Sequence, residues 1–278
     1  MINNLKVMLV IWPVFLMLAC NNPATAHLEK GNSYQEQGRL SEAIAEYSQA
    51  IARDPDSALA YMNRGNAYSQ TGEFDHAIVD YNKAIELDPQ LSAAYSNRGN
   101  VYSSKGEYDR AMADFNQAVE LDPYYPMTYN GRGITYGNMG EYDKAIADFS
   151  RAIELEPQSA LAYGNRGNTY LMIGEHDSAM ADLDQAIKLE PNYPLAYFVR
   201  GAAYSDRGEY DKAMADLSKC LQLAPNYAPA YLVRGRVYQE QGKTAKAEAD
   251  LNLCISLSRD PQLANEATRL LEEIQGQR

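Results

Sequence analysis

The sequence predicts an all-α solenoid, and three recurrences predict it. Glycines return every 34 residues as Gly31, Gly65, Gly99, Gly133, Gly167, Gly201 and Gly235, and again as Gly38, Gly72, Gly106, Gly140, Gly174, Gly208 and Gly242. Two apolar patterns at helical spacing flank the second glycine of each unit. Prolines at Pro55, Pro89, Pro123, Pro157, Pro191 and Pro225 close the units. A fixed period of this length marks stacked helix pairs, each burying its apolar face on its neighbours rather than around one core. Chain length is therefore no guide to domain number.

Taken in chain order, residues 1–19 read as an export signal. Lys6 supplies a thin positive start, and Val7 to Ala19 is almost unbroken apolar sequence, interrupted by Pro13. The run is short for a membrane span, which needs ~20 residues, and has the length of a signal core. It ends in Met17-Leu18-Ala19-Cys20 before the polar Asn21-Asn22-Pro23. This resembles the bacterial lipoprotein signal, in which a small residue precedes a cysteine that is lipidated after cleavage. Met17 and Leu18 depart from the usual Leu and small residue. The resemblance implies that Cys20 carries lipid, that residues 20–23 form a tether, and that Asn21 favours the outer membrane of a Gram-negative envelope. Several acyl chains anchor durably where one binds marginally. An ordinary cleaved signal, giving a periplasmic or secreted soluble protein, and an uncleaved anchor are the alternatives.

Residues 24–259 hold seven copies of the unit. In the second copy the first helix carries Tyr61, Gly65 and Tyr68, and the next carries Ala77, Ile78, Tyr81, Ala84, Ile85 and Leu87. That second set is a core-facing stripe. Gly65, Ala77 and Ala84 allow close approach of the helix axes, while Gly72 suits a left-handed helix end. Asp75, Asp109, Asp143, Asp177 and Asp211, with Ser41 in the first copy, are expected to cap the second helices. These residues resemble the tetratricopeptide repeat, a 34-residue helix–turn–helix. The signature reads Gly65-Tyr68-Ala77-Tyr81-Ala84-Pro89, Gly99-Tyr102-Ala111-Phe115-Ala118-Pro123 and Gly133-Tyr136-Ala145-Phe149-Ala152-Pro157. Tyrosines stand where the family usually has tryptophan, at Tyr61, Tyr95, Tyr129, Tyr163, Tyr197 and Tyr231. The first copy is degenerate, with His27 at that place, and the seventh has Ala245 in place of the cap. The resemblance implies a right-handed superhelix with a concave groove lined by first helices.

Residues 260–278 follow. Leu263, Ala267, Leu270, Leu271 and Ile274 make one apolar stripe, and Glu266, Arg269, Glu272 and Glu273 are polar. This predicts a capping helix over the seventh repeat, since terminal repeats need a solvated outer face. A helix offered to another protein or to a second copy is the rival reading.

The chain carries a formal net charge of −12. That balance opposes nucleic-acid binding, whose footprint is a basic patch, and opposes adhesion to anionic lipid through the protein surface. Membrane contact is expected through the lipid alone. No catalytic constellation, cofactor motif or metal-ligand spacing is present: the glycines are accounted for by packing, and His27, His76 and His176 lie in different repeats. Cys220 and Cys254 occupy a small-residue position held elsewhere by Ala50, Ala84, Ala118, Ala152 and Ala186. Buried free thiols are expected there, with a disulfide between them as the alternative.

Candidate binding residues form an asparagine ladder. Asn63, Asn97 and Asn165 share one repeat position, and Asn32, Asn66, Asn100 and Asn168 share another three residues on. Residues three apart lie on one helix face, and the resemblance turns that face into the groove. An amide offers donors and an acceptor, which suits the backbone of an extended peptide. Phe198-Val199 and Leu232-Val233, with Met172 before them, suggest an apolar half to the groove; packing against the terminal helix is the other reading. The family's carboxylate clamp needs a lysine where Met62, Ser96, Asn130 and Gly164 stand, so that specificity is not expected. Arg64, Arg98, Arg132, Arg166, Arg200 and Arg234 recur in step with Asp80, Asp114, Asp148, Asp182, Asp216 and Asp250, predicting a structural ion-pair ladder. The expected function is a non-enzymatic, membrane-tethered scaffold or adaptor that binds extended segments of partner proteins. A soluble periplasmic or secreted chaperone, and a regulatory subunit of an envelope enzyme complex, are the alternatives.

Overall fold

The computed structural model describes residues 22–276, and every regular element among them is an α-helix. The segment holding Cys20 lies outside the described residues. Two compact units divide at Pro89 and Gln90. The first contains α1 (Pro23–Glu36), α2 (Leu40–Arg53), α3 (Ala58–Thr71) and α4 (Phe74–Leu87). Here α1 pairs with α2, α3 pairs with α4, and α2 also packs on α3. Ala43, Tyr47 and Ala67 are buried at their junction, with Leu28, Tyr34 and Ile44 against them.

The second unit holds five helix pairs and a last helix. The pairs are α5 (Ser92–Ser104) with α6 (Tyr108–Leu121), α7 (Pro126–Asn138) with α8 (Tyr142–Leu155), and α9 (Ala160–Met172) with α10 (His176–Leu189). They continue as α11 (Pro194–Asp206) with α12 (Tyr210–Leu223), and α13 (Ala228–Glu240) with α14 (Thr244–Leu257). The last helix, α15 (Pro261–Gly276), packs on α14 and α13. Its Ala267, Leu270 and Ile274 are buried against Leu232, Leu251 and Cys254.

The turn chemistry is local and repeats. After α7 the chain passes Met139 and reverses at Gly140, whose φ of +77° is left-handed. Gly140 N–H donates to the Gly137 carbonyl and Glu141 N–H to that of Tyr136, closing the helix end. The other glycine of the repeat answers to packing. A Cβ on Gly133 would meet Phe149 Cε1 at 2.8 Å, so the missing side chain is the seat for that ring. Tyrosine in the tryptophan place adds a polar tie: the hydroxyls of Tyr129, Tyr197 and Tyr231 donate to the carbonyls of Pro123, Pro191 and Pro225.

The expected aspartate caps are corrected by the structure. The second helices begin two residues earlier, with Glu73, Glu107, Glu141, Glu175 and Glu209 at the cap and no side-chain cap bond there. Asp75, Asp109, Asp143, Asp177 and Asp211 therefore lie inside the first turn. There a negative charge stabilises the helix through its dipole rather than by capping it. Ser41 likewise sits within the first turn of α2, whose cap position is Arg39.

Cys220 and Cys254 are both buried free thiols. Burial pushes the Cys220 thiol up to about 11 and raises that of Cys254 as well. Neither supplies a thiolate near neutral pH, so both behave as small core residues.

Candidate functional site

The charged ladder is structural. In α9, Arg166 Nε and Nη2 donate to the two oxygens of Asp182 on α10 at 2.7 and 2.9 Å. Its Nη1 donates to Ser150 Oγ of the preceding repeat at 2.9 Å. The guanidinium sits between Tyr163 and Tyr170, 5.7 and 5.8 Å from their ring centres. Hydrogen bonding to Asp182 holds the Arg166 pKa above its ordinary value, so the group stays charged. Arg64, Arg132, Arg200 and Arg234 make the same fork with Asp80, Asp148, Asp216 and Asp250. Arg98 pairs with Asp114 likewise. These arginines are spent on the fold.

The asparagines divide by unit. In the first, Asn63 Nδ2 donates to Asn32 Oδ1 at 2.9 Å, and the same oxygen accepts from the Tyr47 hydroxyl. Tyr81 donates to Asn66 Oδ1 at 2.8 Å. Asn32 and Asn66 thus use their amide oxygens as acceptors inside the protein, and Asn63 uses a donor there. In the second unit, Asn97 is half-buried, Asn100 is exposed, and Asn165 Nδ2 donates to the buried Asn130 Oδ1 at 3.0 Å. Asn168 is exposed on α9. The ladder is interrupted on α7, where Gly131 and Ile134 replace both amides.

Asn165 and Asn168 are brought together with other residues in a way the ladder alone does not announce. They form the shared wall of two neighbouring concavities. One, of about 210 Å³, is lined also by Gly164, Tyr193, Leu195, Phe198 and Tyr227. The other, of about 340 Å³, adds Ile134, Asn138, Tyr142 and Met172. Gly164 is empty for a reason: a Cβ there would meet Tyr193 Cε1 at 2.9 Å. Tyr193 thus packs against α9 at Gly164, its hydroxyl buried with no partner among the described residues. Burial raises its pKa, which keeps it a donor. Phe198 and Tyr227 meet edge to face, with centres 5.0 Å apart.

The predicted apolar half is relocated. Val199 and Leu232 are buried, Val199 with Leu183 and Ala196, and Leu232 under α15. Phe198 and Val233 pack partly into the core beneath α11 and α13. Among the apolar side chains left open are Met127, Leu161 and Leu195, at 41%, 36% and 39% exposure, with Met172 at 59%. The first three are the second residues of α7, α9 and α11. Their recurrence at one position was visible in the sequence, as was that of Tyr125, Tyr193 and Tyr227 just before the first helices. Among the described residues no group of His, Cys, Asp and Glu is arranged to hold a metal ion. No helix among them is long and apolar enough to cross a membrane.

The helix pairs and their first-helix faces define a repeat protein of the helix–turn–helix class. Family models described as tetratricopeptide repeat match residues 58–91, 92–125, 126–159, 160–193 and 194–227, and another match covers 228–261. A TPR repeat model matches 31–72. The chain belongs to the tetratricopeptide repeat family. No curated protein sequence matches it. Among solved structures it is similar to a tetratricopeptide repeat protein from Parabacteroides merdae, with a TM-score of 0.70 and 22% identity over 90% of this chain and 99% of that one. It is similar also to the anaphase-promoting complex assembly Cut9–Hcn1, with a TM-score of 0.77 and 20% identity over 88% of this chain and 48% of that one. Pseudomonas aeruginosa pilF gives 0.66 and 20% over 82% and 100%. At these identities the likeness is one of fold. Proteins of this repeat family are generally protein-interaction scaffolds.

Proposed function

We propose that this chain is a non-enzymatic scaffold or adaptor that binds extended segments of partner proteins on its first-helix faces. The observation that carries the reading is the position of Asn165 and Asn168 on the wall common to two concavities. Their amides border apolar side chains that remain open to solvent, a combination of hydrogen bonding and apolar contact suited to a peptide. Asn32, Asn63 and Asn66 in the first unit, and Asn97 and Asn100 in the second, extend the same chemistry. The acidic surface favours protein over nucleic-acid partners.

The proposal includes a tether: lipid on Cys20 holds the repeats at a bacterial envelope membrane, supported by the Met17–Cys20 sequence. The test of the binding face is photocrosslinking in intact cells from Asn168, with and without Asn165→Ala. One dominant partner, lost in the variant at unchanged helicity, is expected; capture that ignores the variant overturns the assignment. For the tether, Cys20→Ala should abolish labelling by a fatty-acid probe, and persistent labelling refutes it.

A further inference from the structure

The open face of the second unit specifies the conformation of its ligand, if the peptide-binding reading above is accepted. Met127, Leu161 and Leu195 are presented once per repeat, on α7, α9 and α11. Packed helices lie about 8–10 Å apart. A β-strand returns a side chain to the same face every ~7 Å, or every ~13 Å at the next interval. Neither distance matches. A polyproline II helix has three residues per turn at ~3.1 Å each, so residues i, i+3 and i+6 recur every ~9 Å along one side. That spacing places one ligand side chain against each successive first helix.

The polar groups agree. Proline has no N–H, and the polyproline II backbone makes no internal hydrogen bonds. Such a segment offers the groove carbonyl acceptors and few donors. On the protein side, the Tyr193 hydroxyl is buried without a partner, and Asn168 is exposed with an amide that can donate. The cleft beside them has Tyr193, Phe198 and Tyr227 for walls, and aromatic-lined grooves suit the flat face of a prolyl ring. Asp206 and Glu240 are the last residues of α11 and α13, in the register that Met172 occupies on α9. Both are exposed, and neither has a counter-ion among the described residues.

We propose that this face binds a proline-rich segment in the polyproline II conformation. A prolyl ring occupies the Tyr193–Phe198–Tyr227 cleft, and a basic residue flanking the prolines faces Asp206 and Glu240.

The test uses the full chain and two labelled synthetic peptides of equal length and charge. One has proline at every third position and a terminal lysine pair; the other has valine in place of proline. The proline peptide is expected to bind about tenfold more tightly, a difference of ~1.4 kcal/mol. Tyr193→Phe keeps the ring and should weaken it about fivefold, the effect of one lost hydrogen bond. Asp206→Asn with Glu240→Gln should weaken binding only of peptides that carry the lysines. Equal or tighter binding of the valine peptide, lost with Asn165→Ala and Asn168→Ala, would overturn the polyproline inference and leave the general peptide reading standing. If neither peptide binds, the inference also fails. Crosslinking from Asn168 then decides separately whether the face binds a partner at all.

Discussion

At Arg166 one side chain does three jobs: it forks onto Asp182, reaches Ser150 in the preceding repeat, and fills the gap between Tyr163 and Tyr170. The first holds the helix pair together, the second ties that pair to its neighbour, and the third packs the guanidinium against tyrosines of its own helix. Asp182 is only 7% exposed. Removing one partner of such a pair strands the other charge in a poorly solvated place, which costs about 3–5 kcal/mol. Asp182→Ala should therefore lower the stability of the second unit by about 3 kcal/mol in denaturant titration. Breaking an exposed pair such as Arg151 with Glu154 should change it far less, because solvent screens both charges. Equal effects of the two would show that the buried fork contributes nothing special. Burial sets a second residue-scale expectation, for pH. Tyr47 is held up to about 12 from an ordinary 10.0, and Cys220 to about 11 from 9.0. Both groups are neutral when protonated, and folding favours that form. Their contribution is complete below the unfolded values and is lost as pH rises through the folded ones. Thermal melts should stay flat to pH 9 and fall steeply between pH 9 and 12. A melting temperature level through that window would contradict the burial of these groups.

Within a single helix pair, the two kinds of glycine separate cleanly. Gly133 faces Phe149 Cε1 at 2.8 Å, measured from a Cβ it does not have, whereas Gly137, one turn on in the same helix, meets nothing within 4 Å. Gly133→Ala should destabilise by about 1–3 kcal/mol through overpacking. Gly137→Ala should stabilise by about 0.5–1 kcal/mol by relieving glycine's backbone entropy in a helix. Circular dichroism melts of the two variants give the comparison, and matching signs would remove the packing explanation. The same helix pair shows why some of the fold could be read ahead of the structure. The period, the left-handed glycines, the proline stops and the Arg–Asp pairing are all local or strictly periodic, so spacing alone exposes them. The caps were misplaced by two residues because Glu141-Tyr142-Asp143 offers two acidic candidates, and the preference for aspartate at caps chose the wrong one. The cleft was harder still. Tyr193 and Tyr227 precede the first helices, where turn residues are expected, and only packing against Gly164 and Phe198 makes them walls.

At the scale of the second unit, the end matters as much as the interior. There each repeat packs on the next, so the last one presents an apolar face with no further repeat to cover it. Here α15 covers it: Ala267, Leu270 and Ile274 lie on Leu232, Leu251 and Cys254, and Arg236 pairs with Glu266 at the margin. The groove reading of Leu232 in the sequence failed for this reason, since its periodic position was that of a binding residue while its neighbour was the cap. Burying each large aliphatic side chain contributes roughly 1.5–3 kcal/mol. Ending the chain after Asp260 should therefore cost the second unit about 5 kcal/mol or more and leave an apolar patch that seeks another copy. Sedimentation velocity at several concentrations should show the truncated protein self-associating while the full chain keeps one sedimentation coefficient. Denaturant melts should show the loss of stability even at the lowest concentration. A truncated chain that stays unassociated and equally stable would mean that α15 is a passenger, free to serve as a docking helix. An associated chain of lowered stability assigns α15 to the fold, leaving the face around Asn165 and Asn168 to receive partners.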